Sequence, residues 1–172
     1  MTRRWSLGQA VLRGLIALGP LVAVGVTTLV GQPPPGWLLA LTAVLAAGYA
    51  YLPDSSFGTF ALLLVLGWWS IVSQGALHPE VLVAAAAVLA SHVAALIAAY
   101  GPDDLLVDPR LVRLWVRRGG LVLLAAPMAW LAANALRGQP EPPGVWIAGV
   151  VAAVTSMVVA SAAFRGSEEA DV

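Results

Sequence analysis

The chain has 172 residues, of which 60% are hydrophobic and only 10% charged, with a mean hydropathy of +0.87. Soluble domains carry about 25% charged residues, so too few polar side chains are present here to coat a water-facing surface. The net charge is zero and there is no cysteine, which excludes disulfides, thiolate catalysis and cysteine-ligated metal centres.

Six apolar stretches follow one another, and in lipid each must satisfy its own backbone as a helix. The first covers residues 14–30, after Arg3, Arg4 and Arg13, and stops at Gln32-Pro33-Pro34-Pro35-Gly36, where consecutive prolines cannot continue a helix. The second, 37–52, ends at Pro53-Asp54-Ser55-Ser56, and the third covers 57–73. The fourth, 81–100, follows the turn Gln74 to Glu80 and ends at Gly101-Pro102-Asp103-Asp104. A basic segment at 108–118 leads into the fifth, 119–136; the sixth is 144–164, followed by a short tail at 165–172. A span needs about 17–25 apolar residues. The second stretch is slightly short, which fits either a span in thin bilayer or half of a re-entrant hairpin.

Arginine placement sets the orientation. All nine basic residues are arginine, and with the N-terminus inside, eight of them face the cytoplasm and only Arg137 lies outside, as the positive-inside rule requires. Trp37, Trp68, Trp69, Trp130 and Trp146 then collect at the outer ends of the spans, and Trp5, Trp115, Tyr49, Tyr51 and Tyr100 at the inner ends, as two aromatic belts. The expected fold is an all-α polytopic transmembrane bundle in a single domain, with six spans and both termini cytoplasmic. Thr2-Arg3-Arg4-Trp5 faintly resembles a twin-arginine signal, but no small-residue cleavage site follows, so an uncleaved first span is expected. Gly31-Gln32-Pro33 and Gly138-Gln139-Pro140 begin similar turns 107 residues apart. Common turn chemistry explains this more simply than an internal repeat.

His92 is the one ionisable side chain in the middle of a span, beside Ser91. Such groups are costly in lipid and are candidates for a polar site; the plainer role is an interhelical hydrogen bond. Ala87, Ser91, Ala95 and Ala99 recur every four residues in the fourth stretch, alongside a second row from Ala86 to Ala98, and Ala152, Ser156 and Ala160 do so in the sixth. Small residues at this spacing let helices approach closely, which predicts that these two stretches form the packed centre or a dimer interface.

In segment 108–118, Asp108 is a suitable N-cap and Pro109 suits the first helical position. Arg110, Arg113 and Arg117 share one face, with Arg118 beside them; Leu111, Val112, Trp115 and Val116 share the other. This is either a separate amphipathic helix or an extension of the fifth span broken at Gly119-Gly120. It could contact anionic lipid or a soluble partner, or simply anchor the topology. Pro20 and Pro127 lie within spans and should kink them.

No GxxxxGK[ST], HExxH or GxSxG occurs, and no basic, aromatic-laced surface suggests nucleic acid. Neither a catalytic set, a cofactor nor a metal site is expected. Arginine in place of lysine, with abundant Ala, Val, Leu and Gly, resembles the coding bias of high-GC bacteria. The expected function is a non-catalytic structural or accessory subunit of a bacterial envelope complex, multi-pass in the inner membrane. Its partners would be the bilayer, another membrane or cytoplasmic protein, or a second copy. The alternative is a small transporter or channel with a polar pathway around His92, Ser91, Thr155, Ser156 and Asn134.

Overall fold

The computed structural model describes residues 6–74, 76–99 and 108–135, together with the helical positions 147, 151, 154 and 155. The described elements are all helices, with no strand among the described residues. Helix α1 is Leu7–Gly25, tightening into a 3-10 turn at Val26–Val30; α2 is Gly36–Tyr51, α3 Phe57–Val72, α4 Val81–Ala99, α5 Pro109–Leu123 and α6 Ala125–Ala135. Three stretches are long and apolar enough to cross a membrane: Leu7–Val30, Val81–Ala99 and Pro109–Ala135. Helices α2 and α3 have 16 residues each, or about 24 Å at 1.5 Å per residue, shorter than a hydrocarbon core of about 30 Å.

Helix α1 begins seven residues before the apolar stretch read from the sequence. Its start is set by Ser6, whose hydroxyl accepts the amide of Gln9 at 3.3 Å, satisfying one of the free donors at a helix N-terminus. Arg13 therefore lies two turns inside a helix rather than in a leader. At the other end, Gly31 adopts φ +76°, a left-handed conformation that glycine takes without steric cost. The amides of Gly31 and Gln32 bond back to Thr28 and Thr27 at 3.1 Å each, and Pro33 to Pro35 then prevent continuation.

Helices α1 and α4 share the most extensive interface, with α2 on α1 and α3 on α2. The α2–α3 hairpin closes through two rings, each laid on a glycine of the other helix. A Cβ on Gly48 would stand 2.8 Å from the Phe57 ring, and one on Gly58 would stand 2.5 Å from the ring of Tyr49. Two apolar clusters form the core. One gathers Leu12, Ile16, Tyr49, Ala94, Ala95, Ile97 and Ala98; the other gathers Ala23, Val24, Leu38, Val65, Trp69, Val72 and Ala84.

The basic segment is the start of α5. Asp108 Oδ1 accepts the amide of Arg110 at 2.8 Å, and Pro109 occupies the first helical position. The helix does not break at Gly119-Gly120; it continues to Leu123, and the interruption falls at Leu124. Pro127 accounts for the position. It has no N–H, and its ring crowds the carbonyl four residues back, that of Leu123.

Residues 136–172 form a second unit. Its described positions, Ile147, Val151, Val154 and Thr155, are helical and exposed. The small-residue row Ala152, Ser156 and Ala160 lies outside the described residues.

Candidate functional site

Among the described residues, α1 crosses α4 in close contact at Gly19. Pro20 cannot donate to the carbonyl of Ile16, its acceptor in a regular helix. That buried carbonyl instead accepts the Ser91 hydroxyl from α4 at 3.0 Å. Gly19 makes the approach sterically feasible: a Cβ there would lie 2.4 Å from Ser91 Cβ and 2.6 Å from the Ala87 carbonyl oxygen. Ser91, read from sequence as a candidate polar site, thus completes a proline-interrupted helix in its neighbour.

The small-residue row continues only in part. Ala95 is buried and Ala87 half-buried, but Ala99 is exposed. Four residues are about 400° of an α-helix, so such a row turns by about 40° at each step. The buried face follows the true period through Ala84, Ser91, Ala94, Ala95 and Ala98, and Ala99 leaves it.

Arg13 is 5% exposed. Its Nη1 donates to the carbonyl of Ala50 and, at 3.1 Å, to that of Tyr51. These are among the last carbonyls of α2, which have no acceptor role within their own helix, and a cation is favoured there by the helix dipole. At the opposite end of α1, Trp69 Nε1 donates to the Ala23 carbonyl at 2.9 Å and Trp68 Nε1 to Thr27 Oγ1 at 3.1 Å. Trp69, assigned from sequence to an interfacial belt, is buried and ties α3 to α1.

His92 projects from the exposed side of α4 and makes no hydrogen bond to another described residue. The imidazole stands instead where two depressions meet. One is an open groove of about 420 Å³ between α3 and α4, lined by Leu62, Val65, Leu66, Trp69 and Val88 among others, with His92 the one titratable residue on its walls among the described residues. The other is a cleft of about 60 Å³ lined by Tyr49, Pro53, Asp54, His92, Ala95, Leu96 and Ala99. Asp54 and Tyr49 are distant in sequence from His92, and no spacing pattern linked them to it. The one available signal was topological: the α2–α3 turn and the end of α4 fall on one side.

In α5, Arg110, Arg113, Arg117 and Arg118 are all exposed, while Val112 and Trp115 pack on the core cluster around Ile97. The Arg118 guanidinium lies 5.8 Å from the centroid of the Trp115 ring, within cation–π range.

Three long apolar helical stretches define a helical membrane protein. No protein-family model, no curated protein and no solved structure is similar to this chain.

Proposed function

We propose that the chain is a non-catalytic, multi-pass component of a bacterial inner membrane, with six spans and both termini cytoplasmic, acting as a structural or accessory subunit of an envelope complex. The observation that carries this reading is the fate of the buried hydroxyls. Thr27 donates to the Val24 carbonyl at 2.8 Å, Thr42 to Leu38 at 2.7 Å and Ser91 to Ile16 at 3.0 Å. Each is committed to backbone inside the bundle. A conduction path needs polar groups free to coordinate what passes, and these have their donors engaged. The apolar, exposed surface of α5 and α6, including Leu121, Val122, Leu124, Met128 and Leu131, supplies a face for lipid or a partner helix.

Purification of the native protein in a mild detergent, with identification of what accompanies it, tests this reading. A stoichiometric membrane partner supports it. A protein that purifies alone and drives flux in proteoliposomes contradicts it, and favours a transporter built around His92.

A further inference from the structure

We propose that the α3–α4 groove and the cleft it meets at His92 form one binding site for an uncharged long-chain alcohol. The tail would lie along the groove and the hydroxyl would sit between His92 and Asp54. The site goes beyond a scaffolding role and does not depend on it.

His92 is a shared wall of both depressions. Along α4 it lies eleven residues from Val81, so the groove offers a track of about 16 Å. That track is apolar from Val81 and Trp69 down to the imidazole, which suits a hydrocarbon chain and nothing polar. Beyond it, the walls change character. Tyr49, Asp54 and His92 supply a phenol, a carboxylate and an imidazole around a space of about 60 Å³. A space of this size accommodates a small polar head.

The chemistry of the walls selects the head. Asp54 supplies an acceptor and repels an anion, while imidazole can both donate and accept. A hydroxyl matches both partners at once: it donates to the carboxylate and accepts from the imidazole. Among the described residues, the titratable groups facing the site are Tyr49 from α2, Asp54 from the α2–α3 turn and His92 from α4.

Trp69 marks the far end of the groove, and it makes the proposal measurable. A dodecanol brominated at its terminal carbon, seated with its hydroxyl at His92, brings the bromine to the Trp69 indole. Emission would be recorded from the full chain in nanodiscs, with a Trp69→Phe variant subtracted to isolate that indole. The expected result is saturable quenching by the bromo-alcohol, weakened roughly tenfold in His92→Leu, the effect of one lost hydrogen bond. Because His92 is exposed, that variant should fold; Ala85→Phe, which fills the groove and leaves His92 in place, should abolish saturation. Three results overturn the proposal. Quenching that rises linearly and is the same in all variants shows bulk partitioning. Equal or stronger quenching by the matching bromododecyl phosphate shows a site for anionic lipid. Lack of quenching together with cross-linking between copies through a cysteine at Leu66 shows that a second copy covers the groove.

Discussion

Single residues decide how closely α1 and α4 approach. Pro20 frees a carbonyl, Ser91 satisfies it, and Gly19 lets α4 close enough to do so. Ser91→Ala should therefore cost about 0.6–2 kcal/mol, the usual worth of an interhelical hydrogen bond in membranes. Gly19→Ala should cost more than the gain in helix propensity returns, since its Cβ would meet backbone at Ala87. Combined with Ser91→Gly it should recover part of the loss, because the two positions share one space. Thermal unfolding in detergent would measure all three, and a Gly19→Ala protein as stable as the wild type would contradict the seam. Arg13 makes a second case. Arg13→Leu strips two carbonyls of a charged donor and should destabilise by about 1.5–3 kcal/mol, with Arg13→Lys in between. An unchanged melting temperature in Arg13→Leu would show that the contact contributes nothing. The sequence placed Pro20, Ser91 and Arg13 individually, but not their partners. A proline in a span shows that one carbonyl is freed without showing which helix answers, and Arg13 was read as a topology charge because the apolar run begins after it.

At the scale of elements, apolar runs locate helices well and their ends less well. The cores of α1 to α4 fall on the first four stretches, since length and hydropathy suffice where the backbone must bond internally. The ends depend on caps. Ser6 extends α1 backwards, and Asp108 with Pro109 joins the basic segment to α5. The α5–α6 break is set by Pro127 rather than by the two glycines, because glycine only weakens a helix while proline removes a bond and clashes. Pro127→Ala should thus close the interruption, restoring an amide that can donate to Leu123. Hydrogen exchange would read it as greater protection across residues 124–128, and unaltered exchange would mean that the break has another cause. Ala95, buried against the cluster around Ile16, gives a complementary test of the α4 face. Leucine there should overpack it at a cost of about 1–3 kcal/mol, lowering the melting temperature, whereas leucine at exposed Ala90 should be tolerated. Equal tolerance at both positions would put the wrong side of α4 against α1.

For the whole molecule, the proposed topology has the chain thread the membrane six times from a cytoplasmic N-terminus. The structure adds one constraint to the arginine asymmetry. Arg13 sits at the C-terminal end of α2, so the first turns of α1 and the end of α2 lie at one end of the bundle. That is where an even number of crossings between them must put them, even though α2 has only 16 residues. The candidate site at His92 was legible only as an isolated imidazole, because its surroundings come from three separate parts of the chain. The most direct measurement uses the absence of native cysteine. Single cysteines would be placed at Gln32, His78, Ser55 and Ser167 and challenged in intact cells with a membrane-impermeant thiol reagent. The account predicts labelling at Gln32 and His78, and none at Ser55 or Ser167 until the membrane is permeabilised. Labelling at Ser55 or Ser167 in sealed cells would contradict it.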